Sequence, residues 1–142
     1  MARNHKGVKN ELENRQWYRR KLKEVNEKIE VLWNDYRGVK GVRYDKPHLA
    51  PSEAVIAEIK LTLGEDLEPL LIERRRLKMQ LKYIDEILAS LDEEIRGAVE
   101  LVCCEGRDYE RVARRYNMSP SGLWKRINTA LEKSEKEIHS PF

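Results

Sequence analysis

The sequence predicts an all-α protein: an N-terminal antiparallel coiled-coil helical hairpin followed by a C-terminal three-helix unit that ends in a helix-turn-helix. Three observations point there. Apolar residues recur in steps of four and three along two long stretches, which is the rhythm of a helical seam. Hydrophobic residues make up 40 % of the chain, aromatics 7 % and charged residues 37 %, a balance suited to solvent-bathed helices with narrow seams rather than one thick core. Finally, between Asp108 and Leu131 a cap, a short helical pattern, a tight turn and a second capped helix follow one another.

With 142 residues there is room for one domain or two small ones. The net charge of +3 is mildly basic, so the distribution of charge says more about partners than its total. No apolar run approaches the roughly 20 residues of a membrane span. The opening MARNHKGVKN has no apolar core and does not read as a secretory signal. Cys103 and Cys104 are the only cysteines. Neighbours on a helix point in different directions, so they form no easy disulfide, and no second Cys or His cluster offers a zinc site. A reducing, cytoplasmic setting is expected, with the pair as small core and boundary residues.

Taken in order, residues 1–9 carry Arg3, Lys6, Lys9 and Gly7 and read as a mobile basic arm. The region 10–89 reads as a helical hairpin and oligomerisation segment. Its first helix runs from Asn10 to about Tyr36, with Tyr18, Leu22, Val25, Ile29, Leu32 and Tyr36 as its seam. Trp17 and Trp33 flank that seam and widen it, so they predict self-association through exposed apolar surface. Gly38, Gly41, Pro47 and Pro51 then mark a basic loop over 37–51 containing Arg37, Lys40, Arg43 and Lys46. His48 has no partner there and is assigned no chemistry.

A short helix capped by Ser52 is expected next, packing Ala54, Val55, Ile59 and Leu63 and ending near Gly64. A long helix is expected from Asp66, with Pro69 tolerated in its first turn. Leu70, Arg74, Leu77, Leu81, Ile84, Leu88, Leu91, Ile95, Ala98 and Val102 keep the seam. Only Arg74 interrupts its apolar run. Ser90-Leu91-Asp92-Glu93 matches a capping box and argues for a new helix, whereas the unbroken heptad argues for one rod. A break near Ala89–Ser90 is the favoured outcome, and Gly106 ends the helix of 91–104.

The segment 90–135 then forms the three-helix unit. Asp108 can cap a helix that packs Val112, Ala113 and Tyr116 inward. Asn117 and Met118 make the turn. Ser119 caps the next helix, and Pro120 sits at its first position, where a missing N–H costs nothing. Leu123, Ile127, Ala130 and Leu131 supply the buried stripe. If the unit binds DNA, the second helix enters the major groove with its N-terminal half towards the bases. Ser119, Ser121, Lys125 and Arg126 are then the reachable polar residues, with Lys125 and Arg126 expected to read bases. Arg111, Arg114 and Arg115 are expected over phosphates. Trp124 is expected to pack on Tyr109 or the supporting helix. Residues 136–142 form a tail.

With these residues in view, the C-terminal unit resembles region four of bacterial sigma factors. The likeness is carried by Tyr109 through Ser119, then Leu123, then the Ala130-Leu131-Glu132-Lys133 ending. A Lys- and Glu-rich hairpin with a Gly/Pro-containing middle ahead of such a unit resembles phage-encoded late-gene transcriptional regulators of the ArpU/RinA type along nearly the whole chain. The resemblance implies transcription control of phage or prophage genes in a bacterial host cell, through promoter double-stranded DNA and host RNA polymerase, by a homodimer or higher homo-oligomer. The sequence departs from the sigma pattern at three positions. Asn117 stands where glycine is usual, and Pro120 and Gly122 fall where base-reading residues are common. Direct base readout is therefore expected to be thin.

Two alternatives belong to other classes. A small terminase-like DNA-packaging protein also joins a helix-turn-helix to coiled-coil helices, though usually in the reverse order. A helical protein-interaction module would use the same fold without DNA. Enzyme chemistry is not expected: no paired carboxylate, nucleophile–base pair, phosphate loop or metal constellation is present. No catalytic residue, cofactor or metal ligand is assigned.

Overall fold

A computed structural model describes residues 3–41 and 53–141; within these, the side chains of 3–6, 38–41, 54–56 and 59 are not described. Among the described residues every regular element is helical: α1 (Arg3–Glu13), α2 (Arg15–Gly41), α3 (Glu53–Ser90), α4 (Glu93–Val99), a π-helical segment (Glu100–Cys104), α5 (Tyr109–Arg115) and α6 (Pro120–Glu137). No helix among them is long and apolar enough to cross a membrane. Two compact units emerge, divided differently from the expected 10–89 and 90–135 segments. One joins the N-terminal stretch through Arg19 to the residues from Lys78 onward; the other is Arg20–Leu77.

The second unit is the simpler. Here residues of α2 and α3 meet at two places. Lys21 pairs with Glu73 at 3.9 Å, while further on Leu32, Asp35 and Tyr36 face Glu58, Thr62, Leu63 and Asp66 across a shared groove. The seam residues are the buried ones: Val25, Ile29, Leu67 and Leu77 are each under 9 % exposed. Trp33 keeps 37 % of its surface in solvent and meets Tyr36 edge to face.

Three expectations change in this region. The helix continues through Arg37 to Gly41, so the loop does not start at 37; the rest of that loop, His48 and Ser52 lie outside the described residues. The short helix to residue 63 and the long one from Asp66 are a single helix, α3, with Pro69 inside it. Gly64 costs a helix about 1 kcal/mol relative to alanine, too little to stop one that has a seam to bury. Pro69 lacks the N–H that would bond the Glu65 carbonyl, and both residues are exposed.

In the first unit residues 3–9 do not form the expected mobile arm; Met1 and Ala2 lie outside the described residues. From Arg3 the chain is helical, and Val8 and Leu12 are 2 % and 0 % exposed. They are buried because α1 packs on α6 and on the π segment. Asn14 interrupts α1 and α2 for one residue. Its N–H still reaches the Asn10 and Glu11 carbonyls, and its side-chain amide donates to Asn10 at 2.9 Å.

The break expected at Ala89–Ser90 falls one to two residues later, at Leu91–Asp92. The capping box does not form. Ser90 is the last residue of α3, its hydroxyl donates to the Ile87 carbonyl at 2.6 Å and it shares a second 2.6 Å bond with the Ser134 hydroxyl. Asp92 takes the cap position of α4 without a side-chain bond. The end of α3 is closed instead by Arg96. Its guanidinium donates to Leu88 O at 2.8 Å, Leu91 O at 2.9 Å and Ala89 O at 3.3 Å, satisfying the carbonyls a helix end leaves orphaned.

The expected helix 91–104 is α4 plus the π segment. Gly106 closes it with a left-handed φ of 68°, and the Arg107 N–H donates back to Leu101 O at 2.8 Å. The core of the unit gathers Ile84, Ile87, Val99, Ala113, Leu123, Ile127 and Leu131, all nearly sealed from solvent.

Candidate nucleic-acid interface

The Asp108–Leu131 stretch folds from its own signals. Asp108 is extended at the N-cap of α5, although its carboxylate makes no capping bond. Val112 and Ala113 face inward, and Tyr116 is half-buried. Asn117 takes a left-handed φ of 56°, the one positive φ among described non-glycine residues. Asparagine tolerates that region better than other side chains. The turn lets the Met118 N–H donate to Ala113 O at 2.8 Å.

Ser119 then caps α6: its hydroxyl accepts the Gly122 N–H at 3.1 Å, and Pro120 follows at the first helical position. A Cβ at position 122 would stand 2.9 Å from the Ser119 oxygen. Gly122 meets that oxygen without displacing it, whereas a larger residue would require the Ser119 side chain to shift.

The predicted contact residues all stand in solvent: Arg111, Arg114 and Arg115 on α5, Ser119 at the cap, and Ser121, Lys125 and Arg126 on α6. They are exposed because Leu123, Ile127, Leu131 and Ser134 take the opposite stripe of α6 inward. Three are already engaged, Ser121 through its hydroxyl 3.5 Å from that of Ser119. Arg126 stands 3.6 Å from a Glu94 carboxylate oxygen and 3.9 Å from the Met118 sulfur. Ser119 spends its oxygen on the cap.

Arg111 and Arg115 are brought together; Arg114 is not with them. The pair lines a cleft of about 670 Å³ with Arg107, Asp108, Leu101, Gly106 and Val112. Arg107 was not among the expected contact residues. Its signal was the four-residue spacing of Arg107, Arg111 and Arg115. From Glu105 to Arg126 the chain carries six cations against three carboxylates, so this end is locally basic while the chain is nearly balanced.

Trp124 corrects an expectation. It does not bury itself against Tyr109 or the supporting helix but stays 50 % exposed, and the Lys9 ammonium stands over its ring at 5.4 Å. Nothing local in the sequence signals that pairing, since Lys9 belongs to α1. Asn128, by contrast, is a buried polar residue. Its amide donates to Trp124 O at 2.8 Å, while its Oδ1 has no protein partner.

Burial pushes the Cys103 and Cys104 thiols each up to about 11, so both are neutral thiols at ordinary pH. Burial, with the bond it donates to Glu11 at 2.8 Å, raises Tyr18 to about 12. Among the described residues no group of three or more His, Cys, Asp or Glu is arranged to hold a metal ion.

No protein-family model matches the chain, and comparison with curated proteins and with solved structures gives no significant match.

Proposed function

We propose that the protein is a sequence-specific DNA-binding transcriptional regulator of phage or prophage genes, acting at promoter DNA together with host RNA polymerase as a homo-oligomer in the bacterial cytoplasm. In this reading it joins an antiparallel helical hairpin to a helix-turn-helix, α5 and α6. The observation that carries it is the segregation of α5 and α6. Each helix turns its apolar stripe inward, and the outward side of the pair holds five cations and two hydroxyls without a buried group among them.

Lys125 and Arg126, on the first two turns of α6, are assigned to base edges, since Arg and Lys to guanine are the commonest specific contacts. Ser121 is the polar neighbour beside them. Arg111 and Arg115, with Arg107, are assigned to one stretch of phosphates along the cleft, and Arg114 to another. With Ser119 committed to its cap and Gly122 carrying no side chain, base readout rests on few residues. Much of the affinity is then electrostatic.

Fluorescence anisotropy on labelled duplex across a salt series tests this. Affinity must fall steeply as salt rises, because each phosphate neutralised releases counterions. A flat response, or no binding at low salt, sinks the proposal.

A further inference from the structure

The face of α3 turned away from α2 is self-complementary, and we infer that two copies of the chain pair through it in antiparallel fashion. The inference rests on the self-association proposed above and names its surface. Leu61, Glu65, Glu68, Ile72 and Arg75 follow one another in steps of four, three, four and three along α3, opposite the buried seam of Leu67 and Leu77. All five are exposed, Leu61 at 65 % and Ile72 at 55 %. Such a stripe has the rhythm of a second seam, but its middle is charged and its charges are ordered: acidic towards the N-terminus, basic at Arg75 and Arg76.

That order fixes the partner. A parallel copy would set Glu65 and Glu68 against themselves and Arg75 and Arg76 against themselves. An antiparallel copy with its two-fold axis near Leu70 sets Glu65 opposite Arg75 and Arg76, and Glu68 opposite Ile72. The two copies of Ile72 then lie within about 6 Å of each other along the axis, given 1.5 Å per residue. At that centre Glu65, Glu68, Pro69, Ile72 and Arg76 all stand exposed on the flank of α3. Ile72 of one copy packs beside Ile72 of the other, and the ion pairs close over them. The residue-for-residue exchange is that of an isologous two-fold interface, and the charges select this orientation over the parallel one.

Charge exchange tests it on the full chain by sedimentation equilibrium, with circular dichroism as the folding control. The expected result is a dimer that Glu65→Arg/Glu68→Arg and Arg75→Glu/Arg76→Glu each weaken by about tenfold or more. Mixing the two variants restores dimers as heterodimers, and combining all four changes in one chain restores a homodimer. Ile72→Lys, which leaves the charged residues alone, must also weaken association. A monomeric natural chain overturns the inference, as does a dimer indifferent to the reversals. Loss of duplex binding with the dimer intact would instead sink the DNA assignment and leave this one standing.

Discussion

The Lys9 ammonium lies over the face of the Trp124 ring, 5.4 Å from its centre, so the first helix touches the helix proposed to read DNA. The contact sits beside a sealed apolar join, where Val8 and Leu12 of α1 are 2 % and 0 % exposed. Exposed cation–π pairs contribute about 0.5–1 kcal/mol, and truncating a buried leucine costs about 2–5 kcal/mol. Lys9→Ala is therefore expected to lower stability slightly and Leu12→Ala severely, both read by urea unfolding. An unfolding midpoint that Leu12→Ala leaves in place would mean α1 contributes nothing to the unit.

Gly97 of α4 faces Tyr116 at the end of α5, and a Cβ at residue 97 would collide with the tyrosine hydroxyl. Gly97→Ala should gain about 1 kcal/mol of helix propensity and lose about 1–3 kcal/mol to overpacking. The net expectation is destabilisation. In a Tyr116→Phe background the hydroxyl is gone, and the same change should stabilise. Thermal unfolding of the four proteins measures this as a double-mutant cycle, and an additive result would refute the contact.

The left-handed Asn117 sets the angle at which α6 leaves α5. Alanine there should cost about 1 kcal/mol, because its Cβ disfavours this conformation. Glycine should be neutral or stabilising. If both variants melt alike, the turn does not hold that backbone in solution.

Alkaline stability should be limited by the cysteines. Their folded pKa near 11 lies above the reference 9.0, so the folded state binds protons that the unfolded state has released. Their contribution is complete below about pH 9 and is lost as pH rises towards 11. Cys103→Ala/Cys104→Ala should flatten the fall in melting temperature across that window. Tyr18, raised from 10.0 to about 12, continues the decline at higher pH.

Glu94 holds Arg126 at 3.6 Å, and both side chains are substantially exposed. The pair itself adds little to stability, since exposed ion pairs are worth about 0–1 kcal/mol. Its effect should appear in DNA binding: Glu94→Gln frees Arg126 and is expected to tighten duplex binding. Arg114→Ala should weaken binding to all sequences alike and lower the salt slope by about 0.9, whereas Arg126→Ala should relax sequence preference. Anisotropy titrations on two unrelated duplexes separate these outcomes.

The seams were legible because their periodicity is local: Val25, Ile29, Leu77, Ile84, Leu88, Leu91 and Ile95 were expected to be buried and are. The turn at Asn117, the Ser119 cap and the Leu123–Ile127–Leu131 stripe follow from side chains within four residues of each other, and they too were readable. What escaped depends on distant partners. Residues 3–13 hold only two aliphatic side chains among charges and a glycine, too few to signal a helix until α6 and the π segment cover them. Ser90 looked like a cap but bonds Ser134 instead, a residue 44 positions away. Gly64 looked like a stop and Pro69 like a first-turn residue because their local costs are visible, while the seam that overrides them spans the helix. Arg96, which closes α3, carries no motif at all.

The packing of α1 against α6 has a consequence for synthesis on the ribosome. Val8 and Leu12 emerge early, yet the surface that covers them includes residues 120–137, made more than a hundred residues later. A nascent chain cannot complete this unit as it emerges; closure waits until α6 is free. Prematurely terminated products would carry uncovered aliphatic residues near their N-terminus, available to chaperones and proteases, so chains able to present α6 to a partner are also those whose N-terminal helix is covered.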